Sequence, residues 1–219
     1  MGKKTSLFLL FLVLFFFALP PIFCATTAVS TRKIEFSVFS VASVALSFVF
    51  LFLSSTKRTA PPTPKERFSS FIICVKTATF CFAALMLIFA FFQVLSVLLP
   101  QGFASAQETL EPPAGVLGWL SFVLALASAA FFEEALYRQF LPKLLITLLP
   151  QKKPLIATAE LFCVALFALA HKGGALALLN AVFCAVTLRL FRLKSPSIIP
   201  VFASHFLYNL TLSLFTILS

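Results

Sequence analysis

The sequence predicts an all-α polytopic membrane protein, a bundle of about seven transmembrane helices. Two observations carry this. The 219 residues are 61% hydrophobic and 11% charged, against about 45–50% apolar and about 25% charged in a soluble domain. The mean hydropathy is +1.06, and the apolar residues fall into runs of the length that crosses a bilayer as a helix, about 20 residues. Such a chain makes one compact bundle with no separate soluble domain. The formal net charge of +10 does not mark a nucleic-acid binder. Its Lys and Arg sit in short loops between apolar runs, as topology signals do.

Lys3 and Lys4 precede the first apolar run, residues 6–19. A basic start and an apolar middle resemble a signal peptide. Phe23 before Cys24-Ala25 is wrong both for a small-residue cleavage site and for a lipoprotein cysteine. Residues 1–33 are therefore expected to keep a transmembrane helix or signal-anchor. Residues 34–113 hold two accessory spans, 34–53 and 71–99. Between them lies a loop with Lys57, Arg58, Lys65 and Arg67 around Pro61, Pro62 and Pro64. The loop after the second carries Glu108 and Glu111 and no basic residue.

Residues 114–219 form a core of four helices. The first starts near Ala114 and runs through Glu133 and Glu134. A turn at Pro150-Gln151-Lys152-Lys153-Pro154 leads to spans at 155–170, 175–190 and 198–218. Placing the N-terminus and the segments 54–68, 138–154 and 189–195 in the cytoplasm puts most basic residues inside. Only Arg32, Lys33 and Lys172 then lie outside, with the acidic 100–113 loop. The expected location is integral to a plasma or inner membrane. The five cysteines show no CxxC and no paired extracellular pattern. Cys74 and Cys81, seven apart, share a helix face and read as packing residues.

Charges inside these runs are costly, about 2.5–3.5 kcal/mol each at mid-membrane. Yet Glu133, Glu134 and Arg138 lie in one, and both histidines, His171 and His205, lie in others. Residues equidistant from the turn of an antiparallel hairpin lie side by side. Glu133 is nineteen residues before Lys152 and His171 nineteen after, so both come to one level. Glu134 and Arg138, Phe167 and His171, and His205 and Asn209 are each four apart, on one helical face. The same counting sets Lys143 opposite Glu160 as an ion pair, unless Pro142 kinks the helix.

These residue types suit hydrolysis. A carboxylate takes a proton from water, with an imidazole positioning that water. A second imidazole and an amide donate to an oxyanion. Alternatively Glu133, His171 and His205 hold a divalent metal ion that activates the water. HExxH is absent, so the cofactor is either none or such a metal. A structural Glu–Arg pair, a non-proteolytic membrane scaffold or immunity-type protein, and a proton-relaying transporter are the competing readings.

Glu133-Glu134-x-x-x-Arg138, Phe167-x-x-x-His171 and His205-x-x-x-Asn209 resemble, in order, the EExxxR, FxxxH and HxxxN motifs of the CPBP family of intramembrane proteases. That family includes type II CAAX prenyl endopeptidases and bacteriocin-processing enzymes, and the resemblance covers roughly residues 114–219. It implies Glu133 and His171 as the water-activating pair and His205 and Asn209 as oxyanion stabilisers. Glu134, Arg138 and Phe167 are in support. The family is commonly called metalloprotease, though a metal-free glutamate mechanism is also argued for it. Gln139 stands where bacterial relatives often have glycine. The implied partners are a membrane-associated peptide or protein substrate and the bilayer, with no nucleic acid. No residue implies a prenylated substrate.

Overall fold

A computed structural model describes residues 2–23, 33–55, 64–99, 110–171 and 174–218. The stretch around Cys24, the residues Arg32, Lys57, Arg58 and Lys172, and the acidic loop with Glu108 lie outside the described residues. The described chain is α1 (Lys3–Val13), a π-turn (Leu14–Ala18), α2 (Pro20–Phe23), α3 (Val38–Ser54), α4 (Pro64–Leu98) and α5 (Gly115–Glu133). A second π-helical segment (Glu134–Phe140) follows, then α6 (Leu141–Leu148), α7 (Lys153–Ala170), α8 (Gly174–Lys194) and α9 (Ile199–Leu218).

Six of the described helical stretches are long and apolar enough to cross a membrane: Lys3–Phe23, Phe68–Leu98, Gly115–Leu148, Lys153–Ala170, Gly174–Lys194 and Ile199–Leu218. A shorter apolar helix, Val38–Ser54, brings the number to the seven expected. Local chemistry sets several ends. Ser37 and Ser40 form a capping box at the start of α3, satisfying amides that have no helical partner. Pro154 sits in the first turn of α7, where its missing N–H costs nothing. Gly115 opens α5 at φ +62°, a backbone state that glycine alone adopts without strain.

Between lipid-solvated helices it is van der Waals packing, not apolar burial, that drives association. Two packed clusters supply it. One gathers Val13, Ala18, Phe50, Leu136, Tyr137, Phe140, Cys163 and Phe167, with the first helix packed on α6 and the π-segment on α3. Within it Phe50 stacks on Phe140 with ring centroids 4.7 Å apart. The other joins Cys81 and Leu85 of α4 to Cys184 and Leu188 of α8 and Val201 and Tyr208 of α9. Buried Cys81, Cys163 and Cys184 are free thiols, as is half-buried Cys74, which matches the packing role read for them. Phe52, Leu87, Val97 and Leu117 point outward, as lipid-facing residues do.

One expected contact is corrected. Lys143 does not pair with Glu160. Its Nζ donates to the carbonyl of Ser54 at the end of α3, and Glu160 pairs with Arg189 of α8. The π-segment is the reason. It adds about one residue to a turn, which turns everything after it by about 100° relative to a straight α-helix. Lys143 thereby faces an orphan helix carbonyl, and a guanidinium fork takes the carboxylate.

Candidate active site

The site is built on the π-segment. The amide of Leu141 bonds the carbonyl of Leu136, five residues back. The next residue, Pro142, has no N–H, so the carbonyl of Arg138 four residues earlier has no α-helical donor. Residues Glu134 to Arg138 are all buried, unlike the single stripe that an amphipathic helix hides. This is where the chain keeps two of its seven acidic residues.

Glu134 is wholly buried, and its Oε1 accepts a hydrogen bond from His205 Nδ1–H at 2.8 Å. Arg138 Nε stands 3.6 Å from the same oxygen. Glu133 lies at the edge of the cluster, with Oε2 3.6 Å from His205 Nε2. His205 therefore sits between two carboxylates. The bond to Glu134 fixes the proton on Nδ1 and leaves Nε2 facing Glu133. Glu133 Oε2 is buried and has no hydrogen-bond partner among the described residues.

Phe167 organises the other side. The Arg138 guanidinium carbon lies 3.7 Å from its ring centroid, a cation–π contact that helps hold a desolvated charge. The His171 ring packs on Phe167 at 4.3 Å, and the His205 ring lies 6.0 Å from it. His171 is the residue that ends α7, with extended φ −94° and ψ 108°. It is exposed, and its Nδ1–H donates to the carbonyl of Phe167 at 2.8 Å. Asn209 is half-buried one turn beyond His205 and makes no hydrogen bond among the described residues.

The structure thus brings together Glu133, Glu134, Arg138, Phe167 and His205, with His171 joined through Phe167. Among the described residues no hydrogen bond or ion pair links Glu133 to His171, although the hairpin count set them level. Nor do Glu133, His171 and His205 make a metal-holding group: among the described residues no set of three or more His, Cys, Asp or Glu does. The cause lies in the side chains. Glu133 Oε2 and His205 Nε2 stand 3.6 Å apart, while His171 leaves from the end of α7 and packs on Phe167. The residues as placed do not fit a three-ligand metal site.

Two arginines that the sequence reading took only as part of the basic 189–195 segment reach the site. Arg189 forms a two-pronged pair with Glu160 and donates Nη1–H to the carbonyl of Arg138 at 2.6 Å. Arg192 donates to the Gln139 side chain and to the carbonyl of Ser195. A small cleft lies here, lined by Tyr137, Arg138, Glu160, Cys163, Phe167 and Arg189 among others. One signal was available: Pro142, four residues after Arg138, announces an orphan carbonyl that must find a donor.

Fold and site together define a polytopic membrane protein with a carboxylate–imidazole–guanidinium cluster buried among its spans. Residues 115–211 match the family described as Type II CAAX prenyl endopeptidase Rce1-like. The match supports the resemblance to the CPBP/CAAX protease family that the three motifs carry. The match contains α5 to most of α9 and every site residue named above. No curated protein and no solved structure matches the chain.

Proposed function

We propose that the protein is an intramembrane endopeptidase that hydrolyses a peptide bond in a membrane-associated peptide or protein, with residues 114–219 as the catalytic core. The observation that carries this reading, beside the family match, is the meeting of Glu133 and His205. Glu133 Oε2 is buried, without a hydrogen-bond partner among the described residues, and 3.6 Å from His205 Nε2. Two such atoms are close enough to share one water at ordinary hydrogen-bond distances, about 2.8 Å.

Glu133 takes a proton from that water as its oxygen attacks the scissile carbonyl carbon. The carbonyl oxygen becomes an oxyanion. His205, when protonated on both nitrogens, keeps Nδ1–H on Glu134 and offers Nε2–H to that oxyanion. The Asn209 amide, one turn along α9 and without a hydrogen bond among the described residues, is the second donor. Glu133 then returns the proton to the departing amide nitrogen as the C–N bond breaks, leaving a carboxylic acid and an amine, which become carboxylate and ammonium when the acid's proton passes to the amine. His171, held on Phe167 at the end of α7, orients the water from the more exposed side. Glu134 and Arg138 hold His205 and Phe167 in place. Topologically, the basic loops put the N-terminus in the cytoplasm.

The test is cleavage by the purified full chain in lipid. The panel is a farnesylated CaaX-ended peptide, its unprenylated counterpart and single-span membrane peptides. Wild-type protein cleaves at least one of them and Glu133→Ala none. Cleavage that persists in Glu133→Ala contradicts the assignment, and no cleavage of any peptide favours the scaffold reading instead. The prenylated pair decides whether the lipid is recognised.

A further inference from the structure

We propose that Arg189, held by Glu160, is a positioning residue that clamps the π-segment carrying Glu134 and Arg138. The inference starts from an orphan. Pro142 cannot donate to the carbonyl of Arg138, and a buried carbonyl without a donor is costly. Arg189 Nη1 fills the gap at 2.6 Å. The same guanidinium sends its Nε and Nη2 to the two oxygens of Glu160. One planar fork thus ties α7, α8 and the π-segment together, which a lysine with a single nitrogen cannot do.

Arg192, three residues on, grips the neighbouring position through the side chain of Gln139. Two arginines of α8 therefore hold two consecutive residues of the π-segment. Position alone would make Arg189 and Arg192 interfacial charges that end span six. The Arg189 side chain is only 15% exposed, however, and its bonds run inward. π-Turns are rare because they are less stable than the α-helix around them, so one at this place needs an outside hold. Release lets residues 134–140 relax toward α geometry. That rotates Glu134 away from His205 and Arg138 away from Phe167.

The inference rests on the endopeptidase reading for its effect on turnover, but the clamp itself is testable without activity. Backbone hydrogen exchange is measured on the full chain in lipid nanodiscs for wild type, Arg189→Met and the lipid-facing control Leu190→Met. The segments read are 134–141 and, as a monitor of the bundle core, 81–88. In Arg189→Met, exchange over 134–141 rises at least about tenfold while 81–88 stays within about twofold. Leu190→Met changes neither. On any peptide the wild type cleaves, Arg189→Met lowers kcat at least about tenfold with KM within about twofold. Unchanged exchange at 134–141 overturns the clamp, and so does an equal rise at 81–88, which means general loosening. Unchanged kcat beside faster exchange removes the positioning role. A wild type that cleaves nothing sinks the endopeptidase reading, and the exchange data then judge the clamp on their own.

Discussion

His205 Nδ1 and Glu134 Oε1 are 2.8 Å apart across two membrane spans, although 71 residues separate them in the chain. Glu134 has no access to solvent, so this bond and Arg138 are what offset its desolvation. Removing one member of a buried charged set leaves the rest uncompensated, at about 3–5 kcal/mol. Glu134→Gln is therefore expected to lower the thermal midpoint measurably and to reduce cleavage sharply. Thermal unfolding in lipid, read beside the cleavage rate, checks both. Wild-type stability with full activity contradicts the role given to this pair.

Phe167 gives a second prediction. It packs on Arg138, His171 and Tyr137 at once. Phe167→Ala removes a buried aromatic, a change that costs about 3–5 kcal/mol in a packed core, and leaves the guanidinium of Arg138 without its ring. Phe167→Tyr keeps the ring and tolerates the change if the hydroxyl finds a partner. A thermal series over the two variants reads this, and equal midpoints for Phe167→Ala and wild type rule out the stacking role.

How much was legible beforehand depends on what the sequence encodes. The spans were readable because apolar length is a composition property, and α5 to α9 begin and end near the expected prolines, glycines and basic residues. The Glu134–Arg138 neighbourhood was readable from i,i+4 spacing, and the partnership of His205 with the Glu pair from the rarity of ionisable groups in apolar runs. Counting residues about Lys152 failed further along the hairpin, because it assumed a straight α-helix. The π-segment before Pro142 changes the facing of every later residue, which redirects Lys143 to Ser54 and frees Glu160 for Arg189. His171 was placed level with Glu133, but helix α7 stops one residue short of it, so the side chain leaves from an extended backbone.

That correction can be measured directly. In a double-mutant cycle, Lys143→Ala and Glu160→Ala should be additive within about 0.3–0.5 kcal/mol. Glu160→Ala and Arg189→Ala should couple by more than this, since they share a two-pronged ion pair. Unfolding free energies of the three single and two double variants, beside wild type, provide the check. Strong coupling between 143 and 160 would mean that the straight hairpin was right after all.

The placement of the two histidines predicts how activity responds to metal. His205 Nε2 stands 3.6 Å from Glu133 while His171 sits at the end of α7 against Phe167, so the endopeptidase reading assigns water activation to Glu133. Cleavage should persist after exhaustive treatment with a strong chelator. Stoichiometric bound metal whose removal stops cleavage and whose return restores it would show instead that the imidazoles reorganise around an ion.

The most direct measurement of the central claim is peptide cleavage in ¹⁸O-enriched water, comparing wild type with Glu133→Gln. The isosteric amide cannot accept the proton from water, so the loss should be at least about 10²–10⁴-fold. In the wild type, mass spectrometry should find one ¹⁸O in the new carboxylate of the N-terminal fragment and none in the C-terminal fragment. Wild-type cleavage with that label, lost in Glu133→Gln, is the result predicted. Labelled product formed at the same rate by Glu133→Gln would contradict it.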